Sequence, residues 1–215
     1  MVDLEHILQQ RFGLPSFRPW QREAIDALLE GAGRVLVVAP TGGGKSLCYQ
    51  LPASVLGGTT IVVSPLIALM EDQVRSLEER GISATYLAST LDPDERRRRE
   101  RKLFEGGYRL VFVAPERLRS RWLVDRLRAL EPPLVAIDEA HCISQWGHDF
   151  RPDYLRVGEV LRELRPARVL ACTTAVSSPR ASRATISSRT DGVAVAVHAS
   201  TRAGRSSRST SPTRR

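Results

Sequence analysis

Short apolar runs recur through the first 174 residues, each separated from the next by a longer stretch with helical spacing. Six of them have the length and β-branched content of strands: residues 34–39, 60–64, 84–87, 110–114, 134–138 and 169–172. Between them the apolar positions return every three to four residues, predicting helices over 45–56, 66–80, 94–104 and 154–164. An earlier helix is expected to start at Pro19, whose fixed φ suits a first turn, and to stop at Gly31. The strand runs are rich in valine and joined by helical crossovers. Alternation with helices predicts an α/β fold: a parallel sheet covered by helices on both sides.

After Ala175 this pattern stops. Ser, Arg, Thr and Ala dominate 176–215, and only a brief stretch at 193–197 alternates like a strand. Such a segment buries too little apolar surface to offset its ordering entropy, so a disordered tail is expected there. The domain is accordingly expected to span 1–175. The tail also changes the meaning of the charge. The chain carries a net +8, but residues 176–215 hold eight arginines against one acid, Asp191. The part expected to fold is nearly neutral, so the bulk charge does not by itself indicate a polyanionic partner. A basic arm gripping phosphates is the functional alternative for this tail.

With 42% hydrophobic residues the chain can build a substantial core. No apolar run approaches a membrane span and no secretory signal is visible, so a soluble, cytoplasmic protein is expected. Cys48, Cys142 and Cys172 are odd in number and widely spaced, which argues against a disulfide framework and a structural zinc site. Arg96–Arg99 are flanked by Asp92, Asp94, Glu95 and Glu100, and are expected to form a solvated helix face.

Two segments carry chemistry. Ala39-Pro-Thr-Gly-Gly-Gly-Lys-Ser46 follows a strand and opens a helix, as a phosphate-binding loop requires. Thr41, Gly42, Gly43 and Gly44 let backbone N–H groups curl around phosphate; Lys45 is expected to reach the terminal phosphates and Ser46 to ligate Mg²⁺. The second segment, 134–141, is an apolar strand ending in adjacent carboxylates. Asp138 is expected to hold the metal and Glu139 to act as general base on the attacking water. Together they predict a nucleotide hydrolase.

Asp138-Glu-Ala-His141 and the following Cys142-Ile-Ser-Gln-Trp-Gly-His-Asp-Phe-Arg-Pro-Asp-Tyr154 resemble the aromatic-rich loop of RecQ helicases, a family of DEAH-type DNA helicases. Other segments agree in order and spacing: Phe17-Arg18-x-x-Gln21, 41–53, Ser64-Pro-Leu-Ile-Ala-Leu-Met-x-Asp-Gln73 and Ala114-Pro-Glu-Arg-Leu118. The resemblance covers residues 4–174 and implies the first of two RecA-like motor domains, with ATP and Mg²⁺ as cofactors and single-stranded or forked DNA as partner. It implies that Arg18 and Gln21 hold the adenine edge, with Leu14 where most relatives carry an aromatic ring. It further implies that Ser64, Gln73 and 114–118 contact the DNA backbone. Trp146, Phe150 and Arg151 would meet bases, phosphate or the nucleotide, and His141 would link the γ-phosphate site to the domain cleft.

The resemblance fails at Thr173-Thr174-Ala175-Val176-Ser-Ser-Pro179-Arg180, where the family reads Thr-Ala-Thr-Ala, a small residue, Pro and Arg. A frameshift near Thr173 in a GC-rich gene is expected, in keeping with thirty arginines against two lysines. The second motor domain and its arginine finger would then be missing from this chain, and little turnover or unwinding is expected of it alone. Translocation would run 3′ to 5′ by resemblance. The competing readings are a non-catalytic nucleotide- and DNA-binding fragment and an RNA helicase, against which the aromatic loop argues.

Overall fold

The computed structural model describes residues 2–30, 33–143, 152–174 and 195–198. The expected strands are present as β1 (Arg34–Val38), β2 (Thr60–Val63), β3 (Ala84–Leu87), β4 (Leu110–Val113), β5 (Leu134–Ile137) and β6 (Arg168–Thr173). A seventh, β7 (Val195–His198), falls in the tail where the alternation predicts it and pairs parallel to β1. The expected Gly31 stop lies outside the described residues. All pairings are parallel, in the order β3-β4-β2-β5-β6-β1-β7.

Seven α-helices accompany the described strands: α1 (Leu4–Phe12), α2 (Pro19–Leu29), α3 (Leu47–Val55), α4 (Ile67–Glu79), α5 (Pro93–Phe104), α6 (Arg121–Ala129) and α7 (Leu155–Leu164). Side chains leave a strand on alternate sides, so one sheet feeds two cores. Val62, Phe112, Ala136 and Leu170 pack on one face with Leu8, Ile25, Leu51 and Met70 of α1–α4. Ile61, Val63, Val111, Val135 and Ile137 pack on the other with Leu103, Leu123, Leu127 and Val157 of α5–α7. Local signals fix the helix ends. Asp92 caps α5 by accepting from the N–H groups of Asp94 and Glu95, with Pro93 at the first position. The basic run on α5 is largely solvated: Arg97 and Arg98 pair with Asp94 and Glu95 on the exposed surface, whereas Arg99 also covers the Tyr86 ring.

The helix expected to begin at Lys45 begins at Leu47 instead. Gly42 and Gly44 take φ of +72° and +84°, so the loop stays non-helical through Gly44 and Ser46 becomes the residue that precedes the helix. Parallel α/β sheets place ligands at the carboxyl ends of their strands. That edge of β1, β5 and β6 is where the chemically interesting residues converge.

Candidate active site

The loop after β1 is shaped by its backbone. A methyl group at Gly43 would lie 2.8 Å from the Pro40 carbonyl oxygen, and one at Gly44 would lie 2.7 Å from Gln21 Nε2. The Lys45 side chain is buried and folds back over the loop, its Nζ donating to the carbonyls of Ala39 (2.9 Å) and Pro40 (3.2 Å). Gln21 is buried in the first turn of α2, where its Oε1 accepts from the Arg18 N–H (2.8 Å) and its Nε2 donates to the Gly44 carbonyl (3.0 Å). The amide thus ties the start of α2 to the loop. Thr41 and Arg18 are exposed beside it, and Ser46 is half-buried with no capping bond from its hydroxyl.

The acids stand at the tip of β5. The Asp138 N–H donates to the Val63 carbonyl (2.8 Å), and the side chain is buried. Burial first, and the neighbouring Glu139 charge second, push the Asp138 carboxyl up from 3.8 to about 6; the charges of Lys45 and His141 oppose that rise. Lys45 therefore acts electrostatically on Asp138 across the intervening β6. Glu139 adopts φ +48°, a left-handed conformation that costs a residue with a Cβ on the order of 1–3 kcal/mol. Its Oε2 lies 3.2 Å from His141 Nδ1, which is itself 3.2 Å from Thr173 Oγ1.

Two further residues hold this arrangement. Thr173, the last residue of β6, accepts at its carbonyl from the Ala39 N–H (3.1 Å) while its hydroxyl meets His141. Tyr154, fully buried, donates its hydroxyl to the Asp138 carbonyl (3.0 Å), the peptide unit that leads into Glu139. Both stand in segments that the sequence singles out, yet neither is readable there as a site residue: each acts through a partner distant along the chain.

The residues fit Mg-nucleotide. A Cβ at Gly43 or Gly44 would collide with the loop or Gln21 while one at Gly42 would meet open space, so the glycines leave the loop's backbone uncovered, and the buried Asp138 beside Glu139 is a poor environment for negative charge unless a cation joins it. Among the described residues no cluster of three or more His, Cys, Asp or Glu could hold a metal. Mg²⁺ characteristically takes one or two protein carboxylates and completes its shell with water and substrate phosphates, a role open to Asp138 with Ser46.

Two expected DNA contacts, Ser64 and Gln73, lie close to the carboxyl edge of the sheet and beside the loop. Ser64 is 1% exposed at the end of β2, its hydroxyl without a hydrogen-bond partner among the described residues. Gln73 of α4 faces the loop: it accepts a hydrogen bond from Gln50 of α3 and lines a cleft with Gln21, Gly44 and Ser46. Its position reflects the packing of α4 beside α3, which the motif spacing does not reveal. In the 114–118 segment, a 3₁₀ turn, Leu118 is buried and Arg117 pairs with the buried Glu100 (3.0 Å). Trp146, Phe150 and Arg151 lie outside the described residues.

A glycine-rich loop after β1 and an acid pair after β5 share one sheet edge, the arrangement of P-loop domains. The profile of the DEAD/DEAH box helicase family matches residues 18–183, and the chain belongs to that family. It is 49% identical over 175 residues to the ATP-dependent DNA helicase RecQ of Bacillus subtilis, covering 81% of this chain and 30% of that protein. It is 43% identical over 167 residues to the RecQ of Haemophilus influenzae, covering 78% of this chain and 27% of that one. The chain thus spans less than a third of either relative. Its fold is similar to that of a hypothetical ATP-dependent RNA helicase from Sulfolobus tokodaii, with TM-score 0.64 at 20% identity, covering 91% of this chain and 57% of that one.

Proposed function

We propose that residues 1–175 form the ATP-binding motor domain of a RecQ-like DNA helicase, with 176–215 as a tail, and that the domain couples Mg-ATP hydrolysis to single-stranded DNA. The observation that carries this reading is a continuous chain of contacts across the site. Lys45 Nζ bonds the Ala39 carbonyl, the Ala39 N–H bonds Thr173, the Thr173 hydroxyl meets His141, and His141 meets Glu139. Phosphate-binding and water-activating groups are thereby held in one framework.

In this reading Thr41, Gly42, Gly43 and Gly44 wrap the phosphates, Lys45 leaves its carbonyls to neutralise the terminal phosphates, and Ser46 and Asp138 hold Mg²⁺. The metal, when bound with ATP, polarises the γ-phosphate. Glu139 takes a proton from the attacking water. His141 would report on that charge to Thr173 and the end of β6. Arg18 and Gln21 flank the loop where a base would lie. The identity to proteins named ATP-dependent DNA helicase supports DNA as the polymer; in this reading movement runs 3′ to 5′, with Ser64, Gln73, Trp146, Phe150 and Arg151 as contacts. The buried Cys48, Cys142 and Cys172, with the Cys48 thiol pushed up to about 12 by burial, fit a cytoplasmic setting. No helix among the described residues is long and apolar enough to cross a membrane.

Phosphate release from Mg-ATP by the purified chain, with and without single-stranded DNA and with RNA as comparator, tests the reading. DNA should stimulate release more than RNA does, and Lys45→Ala and Glu139→Gln should each abolish it. Nucleotide affinity unchanged by Lys45→Ala would remove the basis for the assignment.

A further inference from the structure

Away from the nucleotide site, charge is unevenly divided. Residues 93–130, which include α5, β4 and α6, hold twelve Arg or Lys against six Asp or Glu, whereas the rest of 1–175 holds twelve against seventeen. A domain that is nearly neutral in sum thus carries one strongly basic region, its helices on the sheet face opposite α1–α4. Part of that charge is matched locally. Arg97 and Arg98 pair with Asp94 and Glu95, and Arg121 pairs with Asp125 and Glu163. Arg101 and Arg126 are exposed and have no carboxylate partner among the described residues.

The same region turns an aromatic ring to the solvent. In α6, Leu123, Val124 and Leu127 are fully buried and supply the core contact, while Trp122 is 55% exposed. Core packing does not account for an indole left in water, because burying such a ring is favourable. Trp122 meets Phe104 of α5 at right angles, with ring centroids 5.8 Å apart and planes at 87°. A perpendicular contact covers at most one face of the indole. Arg126, one turn after Trp122, holds its guanidinium 4.6 Å from the Phe104 centroid, and Arg101 stands one turn before Phe104 on α5. An open aromatic face between positioned cations is the combination that grips a single strand: the ring stacks a base while the cations meet the flanking phosphates. An acidic peptide matches the charge alone.

We propose that α5 and α6 form a second contact for single-stranded nucleic acid, with Trp122 stacking on a base and Arg101 and Arg126 meeting phosphates. The surface is independent of the motor-site reading, since none of the three belongs to the nucleotide loop, the acid pair or the DNA contacts assigned above. Photo-cross-linking of an iododeoxyuridine strand to the full chain, followed by peptide mapping, locates the contact. An adduct on the peptide that holds Trp122 is expected, and adducts confined to other segments overturn the proposal. Fluorescence anisotropy then separates base from phosphate. Trp122→Ala should weaken binding of an oligothymidylate about fivefold or more, and leave an abasic strand of equal length within about twofold. Trp122→Phe, which keeps a ring, should recover most of that loss. Arg101→Ala combined with Arg126→Ala should weaken both strands and flatten the salt dependence by about 0.7 in log–log slope per residue. Unchanged affinity in Trp122→Ala, or an equal loss for both strands, overturns the base stack. Displacement of the strand by polyglutamate of equal charge at equal concentration would assign the surface to an acidic protein instead.

Discussion

The phosphate loop and the acidic tip of β5 meet across β6, but different physics holds each in place. The loop is shaped by residues adjacent in sequence: glycines with positive φ, and a lysine that bonds carbonyls five and six residues before it. The β5 tip is held from far away, by Val63 at its backbone, Tyr154 at the Asp138 carbonyl, and Thr173 through His141. A loop built locally tolerates change elsewhere and fails at single positions. A tip built by distant contacts concentrates uncompensated charge and strain, which the rest of the domain must hold.

Gly44→Ala is the sharpest way to break the local half. Forcing a Cβ to φ +84°, 2.7 Å from Gln21 Nε2, should cost about 3 kcal/mol from backbone strain and the displaced amide. Chemical denaturation would show it as a lower midpoint at constant slope, and a midpoint equal to that of the parent would mean the loop is not held as described. Asp138→Asn probes the other half with the opposite sign. The folded chain holds the Asp138 proton to about pH 6 against 3.8 in the unfolded state, so this stabilisation is full below pH 3.8 and lost above pH 6. At pH 8 the nucleotide-free variant should therefore be more stable than the parent by about 3 kcal/mol, and the gap should close toward pH 4. A gap independent of pH would show that the acid is not the source. The smallest effect is expected for Tyr154→Phe, which leaves the buried Asp138 carbonyl without its donor at a cost of about 1 kcal/mol. A thermal midpoint shift of a few degrees would register it; no shift would mean that another donor takes over.

The same division explains what the amino-acid sequence reveals. Six strands and five helices are legible because apolar period and end signals are local, and β3 is placed to the residue. Helix α1 and helix α6 are short, nine residues each, and rich in polar side chains, so their faces show only once packed. Within the site, Lys45, Ser46, Asp138 and Glu139 stand out by spacing alone. Thr173, Tyr154 and the placement of Gln73 do not, because their roles depend on which strand ends and helices become neighbours. Ser64 is similar: its motif marks it, but its burial at the end of β2 shows only in the sheet.

The folded-back Lys45 has a thermodynamic consequence. Its ammonium already has two carbonyl partners, so an incoming anion gains only the difference between its own attraction and theirs. Dilute halide or a singly charged oxyanion offers too little to dislodge it, whereas a polyphosphate with clustered charge does. If the loop takes phosphate as proposed, the parked side chain would set a threshold of charge density that favours polyphosphate over the small anions of a salty medium.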